Sequence, residues 1–197
     1  MGLNLTDALL VDLDGTLVET GEANFQAYAA ALREAGVEID RRRFDELSQG
    51  RNWRDFLPLM LARTGASPAA VAARKAALYG DFLQLTTLNP GVARLIELCR
   101  AHWRCALVTT ASRRNAEAIL RHHGIEHLFD CMVTGDDVAR HKPDPEAYRL
   151  AAERLGVNPK RCVALEDTDV GAASATAFGA AVIRVQPAEA KIGGARS

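Results

Sequence analysis

Five short apolar segments constrain the fold of this chain more than any other feature. From the second segment onward, helical patterns alternate with them and end at Gly124, Gly156 and Gly179. Short apolar strands alternating with helices are typical of a parallel sheet that is covered by helices on both faces. We therefore predict an α/β fold with a doubly wound parallel sheet. The predicted strands are ALLVDL from Ala8, RCALVTT from Arg104, DCMVTG from Asp130, RCVALED from Arg161 and AAVIRV from Ala180.

The segment between the first and second predicted strands is too long for a single crossover helix. From about Val18 to Leu88 its pattern indicates helices only. Two domains are therefore predicted. Residues 1–17 and 88–197 form an α/β core domain, and residues 18–87 form a small helical domain inserted into it.

The composition is that of an ordinary globular protein and argues against several classes of function. Hydrophobic residues make up 48% of the 197 residues, and a formal net charge of −1 does not suit a chain that coats nucleic acid or an anionic membrane. No apolar run approaches the roughly 20 residues that a transmembrane helix needs, and the N-terminal residues lack the pattern of a signal peptide. The four cysteines form no C-x-x-C pair and are predicted to be reduced. We expect a cytoplasmic protein that is a monomer or a weak homodimer.

The predicted strands end in carboxylate and hydroxyl side chains, and one lysine follows the third strand. Because ligands of open α/β sheets bind beyond the carboxyl ends of the strands, we expect these groups to converge on one edge of the sheet. The groups are Asp12, Asp14 and Thr16 after the first strand, Thr109, Thr110 and Ser112 after the second, Lys142 after the third, and Glu166, Asp167 and Thr168 after the fourth.

Carboxylates packed this closely repel one another and raise one another's pKa. A bound divalent cation removes the repulsion, and hard oxygen ligands favour Mg²⁺. A lysine and a hydroxyl beside the metal suit a phosphate group. Asp12 and Asp14 have two other interpretations. One is a fragment of a calcium loop, although the glycine comes too early and the final glutamate is missing. The other is a polar turn that merely ends the strand.

Four motifs resemble, in order and spacing, those of the haloacid dehalogenase (HAD) superfamily of phosphohydrolases. They are D-x-D-G-T at residues 12–16, an apolar strand ending at Thr110, Lys142 in a K-P-x-P setting, and E-D-[ST]-x-x-G at residues 166–171. The resemblance covers nearly the whole chain and is closest to the phosphoglycolate phosphatase and β-phosphoglucomutase group. It implies a Rossmann-like core, and the helical insertion stands where this family carries its α-helical (C1-type) cap.

The resemblance implies a mechanism that passes through an aspartyl-phosphate. Asp12 attacks phosphorus, while Asp14 protonates the leaving alcohol and then activates the water that releases phosphate. Dehalogenases of this family lack the second aspartate, so the presence of Asp14 favours cleavage of a C–O–P ester. With these two aspartates, Thr110 and Lys142 make up the implied catalytic set.

The resemblance also implies which residues hold the metal and the phosphate. Asp12, the backbone carbonyl of Asp14 and the Asp167 carboxylate are expected to bind Mg²⁺. Glu166 is expected to support Asp167 or a metal-bound water, and Thr16 to orient Asp14. The groups expected at the phosphate are Gly15, Thr16, Thr110, Lys142 and the backbone N–H of Ala111.

The cap is expected to select the substrate, because the core motifs recognise only the phosphate. The candidate cap contacts are Asn24, Arg51, Trp53, Arg54 and Lys75. Several have an alternative role inside the cap: Trp53 in its core, and Arg51, Arg54 and Lys75 as surface charges. Lys75 matches a cap lysine of β-phosphoglucomutases, whereas Asn24 and Trp53 stand where those enzymes carry a histidine and an arginine.

We therefore predict a Mg²⁺-dependent phosphatase that hydrolyses a small soluble phosphomonoester, such as a sugar phosphate or phosphoglycolate. The alternative within the family is a β-phosphoglucomutase-like phosphosugar mutase. A different class of function is an inactive phosphate-binding protein on the same fold, against which the intact motif residues argue. Because a cap of this size covers the active site, protein and nucleic-acid substrates are not expected.

Overall fold

The structure, a computed structural model, describes residues 7–48 and 53–186. The chain divides into two compact units, which we call the sheet unit and the helical unit. The sheet unit comprises Met1–Glu19, Thr87–Ser112 and Glu126–Ser197, and the helical unit comprises Thr20–Thr86 and Arg113–Ile125. The helical unit thus includes Arg113–Ile125, a segment that the predicted boundaries assign to the core. The division into domains at residues 17/18 and 87/88 stays a prediction.

Strands and helices alternate along most of the described chain. The strands are β1 (Ala8–Val11), β2 (Val18–Glu19), β3 (Thr87–Leu88), β4 (Arg104–Val108), β5 (Cys131–Val133), β6 (Cys162–Glu166) and β7 (Ala181–Arg184). The α-helices are α1 (Gly21–Glu34), α2 (Arg41–Ser48), α3 (Trp53–Leu61), α4 (Pro68–Leu78), α5 (Pro90–Cys99), α6 (Arg113–His123), α7 (Glu146–Leu155) and α8 (Asp169–Phe178). Short 3₁₀ helices occupy Tyr79–Leu85, Glu126–Leu128, Gly135–Asp137 and Pro159–Arg161. None of the described helices is long and apolar enough to span a bilayer.

The five predicted strands form one parallel sheet in the order β5-β4-β1-β6-β7. In the centre, Leu10 of β1 is paired with Ala106 of β4 and with Ala164 of β6, and all three residues are fully buried. Burial of a whole strand is expected where helices cover both faces of a sheet. The predicted α/β fold with a doubly wound parallel sheet is confirmed. The chain runs outward from β1 through β4 to β5 and then continues on the other side with β6 and β7, so the order reverses beside β1, where such sheets bind ligands.

Helix α7 packs on one face of this sheet through small side chains. Its buried residues are Ala147, Tyr148, Ala151 and Ala152, and they belong to the same apolar cluster as Leu10 of the central strand. The alanines allow the helix to lie close to the sheet, and Tyr148 is the one large side chain among them. Tyr148 is fully buried, and its phenol lies at the last residue of β6.

A short two-stranded ribbon corrects the prediction of helices only between Val18 and Leu88. β2 and β3 pair in antiparallel register, with Val18 opposite Leu88 and Glu19 opposite Thr87. Each strand has two residues, which is too short to produce an alternating pattern in the sequence. The ribbon belongs to the sheet unit and joins the two ends of the inserted segment.

The helical unit has its own apolar core, which is rich in aromatic rings. Phe44 of α2 lies between Phe25 and Tyr28 of α1 at ring-centroid distances of 5.5 Å each, and 5.9 Å from Phe56 of α3. Tilted and edge-on ring pairs of this kind add roughly 0.5–1.5 kcal/mol each beyond the burial of their area. The prediction of helices only therefore holds for the described residues of the insertion outside the ribbon.

Candidate active site

The register of the central strands places three residues level with one another at the carboxyl edge of the sheet. Val11, the last residue of β1, is paired with the next-to-last residue of both β4 and β6. The following position is Asp12 after β1, Val108 in β4 and Glu166 in β6. These three residues therefore lie side by side where the sheet ends, although they are far apart in the chain.

Lys142, which follows β5, reaches all three positions with its ammonium group. Nζ donates to Oδ1 of Asp12 at 2.6 Å, to the backbone oxygen of Val108 at 2.9 Å and to Oε1 of Glu166 at 2.6 Å. An ammonium group has three N–H donors, so each donor has an acceptor within the protein. The lysine side chain is buried and 5% exposed. Lys142 therefore neutralises charge at the site and fixes the position of the Asp12 carboxylate.

Glu166 is held on both sides, by contacts that the sequence did not predict. Its Oε1 atom accepts a hydrogen bond from the phenol of Tyr148 as well as from Lys142. On the other side, a Cβ atom placed on Gly171 would lie 1.9 Å from Oε2 of Glu166. Only glycine therefore leaves room for this carboxylate at the start of α8, which explains the glycine of the fourth motif.

The turn after β1 packs directly against Asp167. Thr16 is fully buried and its hydroxyl donates to Oδ1 of Asp167 at 3.1 Å. Gly15 has a φ of +83°, and a Cβ atom placed on it would lie 2.2 Å from Oδ2 of the same carboxylate. Glycine is thus required here both by the backbone conformation and by the close approach of Asp167.

The hydroxyl that donates to Asp14 comes from Thr109. Oγ1 of Thr109 donates to Oδ2 of Asp14 at 3.4 Å and accepts the backbone N–H of Ala111 at 3.0 Å. Thr16 was expected to orient Asp14, but it donates its hydroxyl hydrogen to Asp167 instead. Thr110, the hydroxyl expected at the phosphate, is exposed at the end of β4, whereas Thr109 is buried. Side chains of consecutive residues at a strand end point to opposite sides, and the sequence does not show which one faces Asp14.

Burial controls the charge of this cluster. The pKa of Asp12 is raised to about 8, chiefly because the carboxyl group is buried; Lys142 opposes this rise and the neighbouring Glu166 adds to it. Burial lowers the pKa of Lys142, but Asp12 and Glu166 outweigh that effect, so its pKa lies above the ordinary value and the lysine keeps its proton. The pKa of Asp167 is also raised by burial. Removing carboxylates from water disfavours their charge, and a cation restores it.

The arrangement of the acidic residues fits a bound divalent cation. Asp12, Glu166 and Asp167 each place one carboxylate oxygen within 4.8 Å of the other two. Three hard oxygen donors around one point are the ligands that Mg²⁺ prefers. A single ammonium group, that of Lys142, cannot balance the three carboxylates, so a second positive charge suits the site.

Two of the cap candidates lie together inside the helical unit. Lys75 of α4 is 9% exposed, and its Nζ donates to Oδ1 of Asn24 at 2.6 Å. The same ammonium lies 5.0 Å from the ring centroid of Tyr28 and 4.3 Å from that of Tyr79. The alternative interpretation of Lys75 as a surface charge is therefore wrong. Buried lysines paired with an amide and two aromatic faces are stabilised by hydrogen bonding and by cation–π attraction.

Two further cap candidates, Trp53 and Arg54, are the first residues of α3. Trp53 is partly buried and packs against the apolar core of the helical unit. The exposed guanidinium of Arg54 lies 4.4 Å from the centroid of the Trp53 ring. The guanidinium therefore lies over one face of the indole. Arg51 lies outside the described residues.

Comparison with known proteins extends these observations. A family model described as haloacid dehalogenase-like hydrolase matches residues 6–179. Fructose-1-phosphate phosphatase YqaB of Escherichia coli (strain K12) is 32% identical over 182 residues, which cover 90% of this chain and 95% of that protein. Beta-phosphoglucomutase of Bacillus subtilis (strain 168) is 29% identical over 197 residues, covering 94% and 86%.

A solved structure of a related protein has the same fold. The structure of a variant of CbbY from Rhodobacter sphaeroides, in complex with xylulose-(1,5)bisphosphate, matches with a TM-score of 0.81 and 33% identity. The match covers 92% of this chain and 86% of that one. Since the family match spans most of the sheet unit and the whole of the helical insertion, the four motifs and the buried lysine–carboxylate cluster have one common explanation. This chain belongs to the haloacid dehalogenase-like hydrolases.

Proposed function

We propose that this protein is a Mg²⁺-dependent phosphatase that hydrolyses small phosphorylated sugars through an aspartyl-phosphate on Asp12. The observation that carries the proposal is the contact of 2.6 Å between Lys142 Nζ and Asp12 Oδ1 at the edge of the sheet. It holds a buried carboxylate in one orientation, with a second aspartate, Asp14, two residues further along the same turn. A fixed nucleophile with an acid–base group beside it is the arrangement that phosphate-ester hydrolysis requires.

Asp12 acts as the nucleophile in this proposal. Since Lys142 binds Oδ1, the other carboxylate oxygen, Oδ2, is the one that attacks phosphorus. The bond from phosphorus to the sugar oxygen breaks as the bond to Asp12 forms. Asp12, Asp167 and the backbone carbonyl of Asp14 would hold Mg²⁺, which would supply the positive charge that an anionic nucleophile needs in order to approach a phosphate.

Asp14 moves the protons of both steps. It donates a proton to the sugar oxygen as that oxygen leaves, and it then takes a proton from the water that hydrolyses the aspartyl-phosphate. The hydrogen bond from Thr109 holds the Asp14 carboxylate at the side of the turn from which it can act in both steps. The loop after β4, with Thr110 and the backbone N–H of Ala111, binds the phosphoryl oxygens together with Gly15 and Thr16.

The substrate class is proposed from the relatives and is a phosphorylated sugar. YqaB is named for fructose 1-phosphate, and the CbbY variant binds a pentulose bisphosphate. Both relatives are more than 30% identical to this chain and act on, or bind, a phosphate ester of a sugar. We therefore favour a sugar phosphate over phosphoglycolate. The helical unit supplies the contacts to the sugar, with Asn24, Arg51, Trp53, Arg54 and Lys75 as the candidates.

A β-phosphoglucomutase-like activity is the second candidate. It is favoured by the identity of 29% to the Bacillus subtilis enzyme over nearly the whole chain and by Lys75, which matches a cap lysine of that group. Asn24 and Trp53 stand against it, because β-phosphoglucomutases carry a histidine and an arginine at these positions. Both activities share the nucleophile and the acid–base aspartate. They differ in the acceptor of the phosphoryl group, which is water in the phosphatase and a sugar hydroxyl in the mutase.

Phosphate release from a panel of compounds tests the proposal. The panel contains ketose and aldose phosphates, phosphoglycolate, nucleotides and β-glucose 1-phosphate, with the products analysed for glucose 6-phosphate. Each is assayed with Mg²⁺, with EDTA, and with Asp12→Asn, which has the same shape but cannot attack phosphorus. Asp81→Asn is the matched control, because Asp81 is an exposed carboxylate of the helical unit.

We expect release of phosphate from one or more sugar phosphates, abolished by EDTA and by Asp12→Asn but retained in Asp81→Asn. Conversion of β-glucose 1-phosphate into glucose 6-phosphate without net release of phosphate would show the mutase instead. Activity that survives in Asp12→Asn would contradict the proposed nucleophile. If no compound of the panel released phosphate, with or without Mg²⁺, this result would contradict the proposed sugar phosphatase.

A further inference from the structure

Tyr148 is a buried residue that none of the four motifs assigns a role. It lies on the inner face of α7 and is fully buried. Its ring stacks on Phe178 at a centroid distance of 6.4 Å and an angle of 23°. The ammonium of Lys142 lies 5.2 Å from the centroid of the same ring. Tyr148 therefore contacts the active-site lysine through its ring as well as through a shared partner.

The shared partner is Glu166. The phenol O–H of Tyr148 donates to Oε1 of Glu166, and this is the same oxygen that accepts a hydrogen bond from Lys142. Burial raises the pKa of Tyr148 and the neighbouring carboxylates raise it further, so the phenol stays protonated and can only donate here. A carboxylate oxygen has two lone pairs in its plane, and two donors on one oxygen fix the rotation of the whole group.

Gly171 closes the other side of the same carboxylate. Since a Cβ atom there would lie 1.9 Å from Oε2, the carboxylate of Glu166 cannot be moved toward α8 without a clash, and Tyr148 holds it from α7. Glu166 is 1% exposed, so water cannot replace a lost donor without entering the core. The position of Glu166 in turn fixes one of the three hydrogen bonds of Lys142.

We propose that Tyr148 is a positioning residue for the nucleophile: through Glu166 it holds the Lys142 ammonium in the orientation that fixes the Asp12 carboxylate. The chain of contacts runs from the phenol to Oε1 of Glu166, from there to Nζ of Lys142, and on to Oδ1 of Asp12. It joins α7, β6, the loop after β5 and β1. The proposal rests on the proposed function in so far as the effect is read from phosphate-ester hydrolysis.

Two variants separate the hydroxyl from the packing of the ring. Tyr148→Phe keeps the ring, its stacking on Phe178 and its contact with the ammonium, and removes only the O–H group. Phe178→Leu is the matched control, because it disturbs the packing of the same ring and leaves the hydroxyl on Glu166. If Tyr148 served only to fill the core, Phe178→Leu would be the more damaging variant.

The first measurement needs no metal and no substrate. The chain has four lysines, so the side-chain ammonium signal of Lys142 can be identified in a ¹H–¹⁵N NMR spectrum by its loss in Lys142→Arg. A buried, fully hydrogen-bonded ammonium exchanges its protons slowly and gives a sharp signal. We expect this signal in the wild type and in Phe178→Leu, and expect it to be shifted or broadened away in Tyr148→Phe.

The second measurement is steady-state hydrolysis of p-nitrophenyl phosphate with saturating Mg²⁺. We expect kcat to fall by about tenfold in Tyr148→Phe, with KM nearly unchanged, because outer contacts of a catalytic cluster are commonly worth about 10-fold to 100-fold in activity. Phe178→Leu should lower the melting temperature and leave kcat close to that of the wild type. A core-filling role of Tyr148 would produce the opposite pattern.

Gly171→Ala provides an independent displacement of the same carboxylate. The added methyl group pushes Glu166 from the side of α8. Because alanine favours the helix, any effect of this variant on folding has a different cause from an effect of Tyr148→Phe. Gly171→Ala should reproduce the loss of kcat and the change of the Lys142 signal.

An unchanged Lys142 signal in Tyr148→Phe, or a kcat within about twofold of the wild type, would overturn the proposal. Absence of hydrolysis by the wild type would be a failure of the proposed function alone. The ammonium signal, which does not depend on activity, would then decide whether Tyr148 holds Lys142.

Discussion

At the scale of single residues, the turn after β1 depends on a position without a side chain. Gly15 combines a φ of +83° with a contact in which a Cβ atom would lie 2.2 Å from Oδ2 of Asp167. We expect Gly15→Ala to displace the Asp167 carboxylate and to weaken Mg²⁺ binding by about tenfold, measured by titration calorimetry of the purified protein without substrate.

The control for this prediction is Gly36→Ala in the helical unit. Gly36 has a similar φ of +78°, but a Cβ atom there would have nothing within 4 Å. Gly36→Ala therefore strains the backbone as Gly15→Ala does, but the added methyl group has no clash. Gly36→Ala should lower stability and leave Mg²⁺ affinity unchanged. Equal Mg²⁺ affinity in Gly15→Ala and the wild type would refute the assignment of Asp167.

A second prediction at this scale concerns the hydroxyl of Thr109. Thr109→Val keeps the shape of the side chain but can neither donate to Asp14 nor accept the N–H of Ala111. We expect kcat to fall by about tenfold, equivalent to roughly 1.4 kcal/mol of transition-state stabilisation, with KM less affected. Thr109→Ser keeps the hydroxyl and loses the methyl group, so it should recover most of the rate. Should Thr109→Ser be as slow as Thr109→Val, packing of the methyl group would explain the loss instead.

The sequence predicted the types of residue at the site better than their contacts. Asp12, Lys142 and Glu166 were expected at one edge because each follows a strand end, and register then brings them together. The partners of buried side chains were not predictable, since they depend on directions that only the packed structure defines. Thus no motif pointed to Tyr148, and the residue expected to orient Asp14 was Thr16 rather than Thr109.

At the scale of elements, the end of α6 and the 3₁₀ helix Tyr79–Leu85 are joined by a hydrogen bond within the helical unit. The hydroxyl of Thr86, which follows the 3₁₀ helix, donates to the backbone oxygen of Leu83 at 2.6 Å. The hydroxyl oxygen therefore accepts a hydrogen bond from Nε2 of His123, 2.8 Å away. This bond needs a proton on Nε2 and is compatible with the neutral ring.

The pKa of His123 makes the stability of this unit depend on pH. Burial and, next, the neighbouring His122 lower the pKa of His123 below its ordinary value of 6.5. As pH falls below this value, the unfolded chain takes up a proton that the folded unit resists, so the free energy of unfolding decreases until the folded pKa is reached. His123→Gln keeps an N–H donor and does not titrate.

We expect the stability of the wild type, relative to His123→Gln, to be greater at about pH 7.5 than at about pH 5.5, measured by urea unfolding at both values. His122→Gln, which leaves the bond to Thr86 in place, serves as the comparison. Parallel stability curves for the wild type and His123→Gln would mean that His123 has no lowered pKa.

Elements were predictable in proportion to their length. The strands of the sheet were recognised because each contains a continuous apolar run. The central strands are in addition buried on both faces, as Leu10 is. The ribbon formed by β2 and β3 was not predicted, because Val18 pairs with Leu88 only where the two ends of the insertion come together. No local pattern encodes a contact of that kind.

At the scale of the whole molecule, binding of Mg²⁺ should stabilise the folded chain. A ligand that binds only the folded state adds about 2.7 kcal/mol at a concentration one hundred times its Kd. We expect the melting temperature, followed by circular dichroism, to rise with Mg²⁺ concentration in the wild type. The rise should vanish in Asp167→Asn and persist in Asp81→Asn. A rise of equal size in Asp167→Asn would place the ion elsewhere.

The central position of β1 also determines when this protein can become active during its synthesis. Ala8 is translated 154 residues before Cys162, which is one of its two neighbours in the sheet. At about 5–20 residues per second, the strand that precedes the proposed nucleophile waits on the order of ten to thirty seconds for that neighbour. During this interval the helices between Thr20 and Thr86 are already available to fold. Asp12 is therefore translated long before its surroundings can form, and a nascent chain that ends before Asp167 lacks part of the candidate site.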